Sequence, residues 1–295
     1  MRIVQAPSRL VAIALACGLA AAACSTSTPA ASAPPSATAP SSSAAANVEL
    51  TITGQEYAFA LPTSVPAGTT TITLTNTGKE THQAQLARIA DGKTFADVLA
   101  ALQQDEGAAF ALFSFAGGPN GVAPGAKVSV IQKLEPGSYV ILCFVPAPDG
   151  LPHLAKGMVA PLQVTAPATA GALPAADATL TLKDFGFEGL PSVSSGRHSV
   201  TVTNQGPQPH EATIVKLNDG VTVDALRTQL ASGGLPAGPP PWQFAGGMGA
   251  LTSGGSGVMN LDLQPGRYAF ICQVPDAATG KPHMELGMIA ALDVT

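Results

Sequence analysis

Charge is what this chain of 295 residues most lacks: Asp, Glu, Lys and Arg supply 11% of it, and aromatic residues only 5%. The 14 Lys and Arg never cluster, and against 19 Asp and Glu they leave a mild net charge of -5. That excludes a nucleic-acid backbone as a partner, which needs a basic patch or stripe. The apolar run at residues 10–23 is too short to cross a bilayer. No Ser-His-Asp arrangement, phosphate loop or zinc signature is present. Histidine and cysteine are scarce, with 5 and 4 residues, so each one can be asked what it does.

Glycine and proline are plentiful, at 31 and 26 residues. So many turn formers among so few long charged side chains favour strands and loops over helices. The length suffices for two domains, each burying its own core.

Arg2 and Arg9 lead into the short apolar run, the pattern of a secretory signal. Cys24 follows an Ala run, which resembles a bacterial lipoprotein signal whose Cys becomes the lipid-bearing first residue. Ala21 stands where that pattern prefers Leu, and Cys17 is a rival. The alternative is an ordinary cleaved signal. Residues 1–24 are thus expected to be a signal peptide. Residues 25–46, rich in Ser, Ala, Thr and Pro, cannot build a core and make a tether of roughly 70 Å at full extension. Either processing exports the protein, to the periplasm or the outer face of the cell membrane, with a lipid on Cys24 as its membrane contact.

The rest of the chain is one unit written twice. Asn76 and His82 frame NTGKETH, and Asn204 and His210 frame NQGPQPH, offset by 128 residues. FAGG recurs at Phe115 and Phe244, and Pro-Gly-x-Tyr recurs at Tyr139 and Tyr268, both offset by 129. Cys143 and Cys272 keep that offset, while His153 with His283 and Met158 with Met288 show 130. A slowly drifting offset over about 120 residues means duplication of a whole domain. The expected boundaries are 47–167 and 177–295, joined by a Pro/Ala linker at 168–176. Alternating segments such as VELTIT (48–53), TTITLT (70–75) and HSVTVT (198–203) read as half-buried strands. Thr94 and Asp97 open one amphipathic helix in the first repeat, matched at Thr222 in the second. Seven or eight short strands with one inserted helix, twice over, predict an all-β protein of two antiparallel sandwiches.

Each repeat carries a His after a strand-ending turn and, some 60 residues later, a Cys, a second His and a Met in one loop. Two cysteines in an exported chain could instead form a disulfide, which would need the same strand end of two separate domains to meet. A thiolate, two imidazoles and a weak thioether are the ligands of a mononuclear copper that carries an electron. In these motifs both repeats resemble the cupredoxins, the blue copper proteins such as plastocyanin and azurin. The resemblance implies two Greek-key β-sandwiches of the cupredoxin kind and up to two copper ions. His82, Cys143 and His153 would be the equatorial ligands of site one, with Met158 axial; His210, Cys272 and His283, with Met288 axial, would form site two. The N–H groups of Gln83 and Glu211 would hydrogen-bond the thiolates. One departure is the Cys-to-His loop, whose nine and ten intervening residues exceed plastocyanin and approach the type-1 loop of copper nitrite reductases.

Copper enzymes built from such domains need further His ligands, typically one beside the Cys. Here Leu142 and Phe144 flank Cys143, Ile271 and Gln273 flank Cys272, and His198 alone remains after four assignments. Met248, Met259 and Met284 read as packing residues. The leading expectation is a non-catalytic electron carrier with a redox partner protein, its electron passing by the second His near Leu151-Pro152 or residues 282–284. The alternatives are a protein that buffers copper or exchanges it with a donor or acceptor, and an interaction module with vestigial sites.

Overall fold

A computed structural model of the chain describes residues 47–104, 106–169, 171–233 and 238–295. The signal segment, Cys17, Cys24 and the tether lie outside them. In the first repeat the strands are β1 (Val48–Gln55), β2 (Ala58–Ala60), β3 (Ser64–Asn76), β4 (Gln85–Ile89), β5 (Phe113–Phe115), β6 (Lys127–Leu134), β7 (Gly137–Leu142) and β8 (Val159–Thr169). In the second they are β9 (Ala178–Lys183), β10 (Gly186–Glu188), β11 (Ser192–Val193), β12 (Gly196–Asn204), β13 (His210–Leu217), β14 (Trp242–Leu251), β15 (Ser256–Leu263), β16 (Gly266–Ile271) and β17 (Ile289–Val294). Alternation fixes which face turns inward: in β1, Leu50 and Ile52 are fully buried while Glu49 and Thr51 face solvent. The Tyr of each Pro-Gly-x-Tyr motif pins the turn before its strand, Tyr139 donating to the Glu135 carbonyl at 3.0 Å and Tyr268 to that of Gln264 at 2.9 Å.

Helices are few, and none among the described residues is long and apolar enough to cross a membrane. The helix α1 (Phe95–Gln104) starts at the expected cap: the Thr94 N–H donates to Asp97 Oδ2 at 2.8 Å, and the Asp97 N–H donates to Thr94 Oγ1 at 3.2 Å. Its Val98 is buried against Ala87, Ile89, Val140 and Leu142. The first repeat adds a short second helix, α2 (Glu106–Ala109), and a 3₁₀ turn, Phe110–Leu112, where one helix was expected. Among the described residues the second repeat has one α-helix, α3 (Val223–Gly233).

The two repeats differ in how a strand changes layers. In the first, β3 runs unbroken, its start paired with β8 and its remainder with β1 and β6. In the second, the same path is split into β11, paired with β17, and β12, paired with β9 and β15. The protein is all-β as expected, and its two repeats are joined edge to edge: β6 pairs with β15 through Val130 and Met259, so that one sheet of 12 strands crosses both repeats. A 5-stranded sheet completes the second repeat, and the described residues form one compact unit.

The duplicated FAGG motifs make this junction about a pseudo-two-fold axis. The Gly117 N–H donates to the Ala250 carbonyl at 2.8 Å, and its equivalent, the Gly246 N–H, donates to Gly121 at 3.1 Å. Asn120 to Gly247 and Gly249 to Gly118 form a second equivalent pair, at 3.3 and 2.7 Å. Gln85 reinforces it, accepting from the Ala250 N–H at 2.6 Å and donating to the Ala250 carbonyl at 3.0 Å. The junction also braces the segment after each first His. A Cβ at Gly118 would lie 2.1 Å from the Ala84 carbonyl oxygen, and one at Gly247 would lie 2.3 Å from that of Ala212.

Both glycines also have φ in the left-handed range, +111 and +140°, so an Ala there meets backbone as well as strain. We expect Gly118→Ala and Gly247→Ala each to destabilise the protein by about 2–4 kcal/mol in denaturant unfolding. Gly92→Ala, at φ +78° with open space around it, should cost only about 1 kcal/mol.

Candidate metal centres

Each site is assembled from the ends of strands. His82 sits in a bridge to Val122, just before β4, and His210 opens β13. Cys143 and Cys272 directly follow β7 and β16. The second His of each repeat begins a 3₁₀ turn, His153–Lys156 or His283–Leu286, and the Met follows the Gly that ends it. That turn is locked to the Cys by backbone: Leu154 donates to the Cys143 carbonyl at 2.8 Å, and Cys143 donates to that of Met158 at 3.3 Å. Met284 and Cys272 repeat the first bond at 2.8 Å, and Cys272 and Met288 repeat the second at 3.3 Å.

The expected equatorial donors converge. In site one, Nδ1 of His82 lies 3.1 Å from Nδ1 of His153, which lies 3.4 Å from Cys143 Sγ. In site two the Nδ1 atoms of His210 and His283 are 2.9 Å apart, and Cys272 Sγ is 3.9 and 3.4 Å from them. Each set of three ligand atoms fits within 4.8 Å. The Gln83 N–H points at Cys143 Sγ from 3.4 Å, and the Glu211 N–H at Cys272 Sγ from 3.5 Å. Met158 packs in a small cluster with Cys143 and Val145, and Met288 in the core that includes Cys272. Both cysteines are free and buried, so the disulfide alternative does not hold. Met248 and Met259 are core residues, Met284 packs near α3, and His198 binds the Ser194 carbonyl.

All six of these His and Cys side chains are sealed from solvent. This corrects the expectation that the second His presents an edge at an apolar surface. Tyr57 lies over His153 with ring centroids 4.9 Å apart, and Phe185 covers His283 at 4.8 Å. Leu151 is exposed, but Met284 is buried.

Carboxylates that the motifs did not single out surround the imidazoles. Glu80 Oε2 lies 2.9 Å from His153 Nε2, and Glu56 Oε1 lies 3.3 Å from His82 Nε2 without hydrogen-bond alignment. In site two, Asp184 binds His210 Nε2, and His283 Nε2 is buried with no partner among the described residues. The Asn-x-Gly motif has two tasks here. Asn76 Nδ2 donates to the Glu80 and Val122 carbonyls at 2.7 and 2.8 Å, and Asn204 does the same to Gln208 and Leu251. The Gly lets the acid reach the His: a Cβ at Gly78 would lie 2.2 Å from Glu56 Oε1, and one at Gly206 would lie 2.7 Å from Asp184 Oδ1.

Burial sets the protonation of these donors. It holds the imidazoles of His82, His153 and His210 below their ordinary pKa and brings that of His283 to about 4. Neutral imidazole is the form that binds a metal. Burial also pushes the Cys143 thiol up to about 12 and the Cys272 thiol well above its ordinary value, so a bound cation is what would ionise them. Two Nδ1 atoms and one Sγ that face one another, with a buried Met packed in the same cluster as each Cys, fit a type-1-like copper site.

No protein-family model matches the chain, and no curated protein matches it by sequence. Solved structures do. The reduced auracyanin of Roseiflexus castenholzii matches at 23% identity and TM-score 0.28, over 40% of this chain and 94% of its own. Auracyanin A, a "blue" copper protein of Chloroflexus aurantiacus, matches at 19% and 0.26, over 40% and 96%. A multicopper oxidase matches at 15% and 0.25, over 84% and 88%. At such scores the whole-chain likeness is slight, and the donor geometry alone bears on chemistry.

Acid should destabilise the metal-free protein. A His with a depressed folded pKa leaves the unfolded chain binding the extra proton, so stability present above about pH 6.5 is lost as pH falls. His283 alone, with a folded value of about 4, should account for about 3 kcal/mol between pH 7 and 4. Denaturant unfolding across that range measures it, and a flat profile would contradict the buried neutral assignment.

Proposed function

We propose that this is an exported electron carrier with one copper ion in each repeat. The observation that supports it best is the convergence of two Nδ1 atoms and one Sγ inside 4.8 Å, twice, with every donor side chain buried. A copper ion held by these His, Cys and Met residues would supply one-electron chemistry between Cu(II) and Cu(I). The protein's own part is to keep the donors still. Backbone bonds tie Cys, His and Met to one another, and the Gln83 and Glu211 N–H groups stabilise negative charge on sulfur. Such burial keeps water and substrates from the donors. It favours a carrier over an enzyme, and over a delivery protein, whose ligands must be reached for exchange. Apart from the four site histidines only His198 remains in the chain, too few for a second type of copper centre. Export, a lipid on Cys24, the tether and a separate redox partner protein belong to the same proposal, and rest on the N-terminal sequence and on the chemistry of a carrier.

Copper(II) titration of the purified mature protein should reach two equivalents with an intense visible band. Cys143→Ser or Cys272→Ser should each remove about half of the band, and the double variant all of it. Reversible voltammetry then supports electron transfer. Colourless binding would instead favour buffering or delivery, and no binding would overturn both.

A further inference from the structure

Beside the metal centres, a pocket of about 480 Å³ is built from the same segments of both repeats. Each repeat supplies the residue after its first His, Gln83 or Glu211, and the residue after its Cys, Phe144 or Gln273. The two FAGG phenylalanines, Phe115 and Phe244, line it as well, and Phe110 joins them from the 3₁₀ turn of the first repeat. Of the chain's 10 phenylalanines, Phe110, Phe115, Phe144 and Phe244 thus meet at one place, each only half-buried. The Phe110 ring lies edge-on to its neighbours, its centroid 5.5 Å from that of Phe115 and 5.9 Å from that of Phe144. In a chain so poor in aromatic residues, this is apolar surface that a guest would bury.

The polar groups say which guest. Gln85 is fully engaged within the protein, its amide donating to the Leu86, Gly117 and Ala250 carbonyls and accepting from the Ala250 N–H. Glu211 accepts from the Asn120 amide and the Gln273 N–H, both at 2.9 Å. Gln83 is different. It is only 7% exposed, its backbone N–H points at Cys143 Sγ, and its side-chain amide, with no hydrogen-bond partner among the described residues, faces the pocket. The amide of half-buried Gln273 has no partner among them either. A buried amide left unpaired costs about 1–3 kcal/mol, a cost that a guest able both to donate and to accept would remove. No Lys, Arg or His lines the pocket, whereas Glu211 does, so an anion would enter without a counter-charge and beside a carboxyl group.

We propose that this pocket binds a small uncharged aromatic molecule whose hydroxyl or amide group pairs with the Gln83 amide while its ring lies among the phenylalanines. The volume of about 480 Å³ falls within the range of about 300–1,000 Å³ usual for small-molecule sites. The guest meets none of the His, Cys or Met donors. It meets Gln83 and Glu211, whose backbone N–H groups face the two sulfurs, so one bound molecule touches both repeats beside their metal centres. The pocket is formed by the protein alone, and its guest is held whether or not a metal is bound.

The test titrates benzamide, phenol, toluene and benzoate into the purified mature protein, metal-free and copper-loaded alike, by calorimetry and by the side-chain NH₂ resonances of Gln83 and Gln273. Benzamide and phenol should bind with Kd on the order of 1 mM or below and shift the Gln83 resonances. Toluene should bind more weakly, and benzoate not measurably. Gln83→Met keeps the length of the side chain without its amide; it should weaken benzamide about tenfold and leave toluene unchanged, a selective loss that misfolding would not produce. Phe144→Ala should weaken benzamide and toluene alike. No binding at millimolar concentration, benzoate bound as well as benzamide, or an unchanged benzamide affinity in Gln83→Met would each overturn the inference. Capture of a partner protein on this face with no binding of the small probes would overturn it too, assigning the pocket to protein docking.

Discussion

Two imidazole nitrogens about 3 Å apart beside a thiol sulfur, all three side chains fully buried, form the contact on which this architecture depends. Without a metal the arrangement is unfavourable. Buried polar atoms without good partners cost about 1–3 kcal/mol each, and burial also opposes charging either the imidazoles or the thiols. The donors cannot escape, because each grows from a strand end or from a turn whose backbone is bonded to that strand. The sheets thus hold open a position that a soft cation would stabilise, and the site is ready before the ion arrives.

Much of this was legible in the sequence because duplication marks what must not change. The donors, the Asn-x-Gly turn, the Pro-Gly-x-Tyr corner and the helix cap at Thr94 each carry a local or repeated signal, and the strands alternate. The carboxylates around the imidazoles carry none. Glu56 and Asp184 lie 26 residues before their His partners, single acids in loops that only the folded β1 and β9 ends bring near. The covering of the second His was hidden for the same reason, since Tyr57 and Phe185 arrive from a distant hairpin. Joining of the repeats into one sheet was illegible because β6 and β15 alternate as edge or interior strands equally well, and nothing local says whose edge a strand will meet. The Phe-Ala-Gly-Gly motif did announce duplication, but its task at the junction appears only when the two copies face each other.

That junction bears on how the sites behave together. A chain with two domains on a free linker would let each site meet partners alone. Here equivalent hydrogen bonds on both sides of a pseudo-two-fold axis join the two Phe-Ala-Gly-Gly segments, each of which packs on the first-His segment of its own repeat, so the sites sit in one frame. Asn120 of the first repeat even reaches Glu211, next to the first His of the second. A rigid frame suits electron transfer, which needs fixed donors and little rearrangement. It suits metal hand-over poorly, because replacing a buried ligand means opening the structure.

Sealing the second His changes what the proposed redox partner would touch. With no imidazole edge at the surface, an electron in the proposed carrier would cross at least one side-chain layer, and over each second His that layer is an aromatic ring from the opposing hairpin. In site one the ring is Tyr57, with Lys156 Nζ 5.1 Å from its centroid and Glu80 at its hydroxyl; in site two it is Phe185, which lacks a polar handle. The second His that lacks a carboxylate partner, His283, thus also lies under the apolar cover. One half of the duplicated chain presents a charged, hydrogen-bonded lid and the other a plain hydrocarbon one. Identical donors under unlike lids are what divergence yields when the metal chemistry is kept and the surroundings of each copy become free to differ.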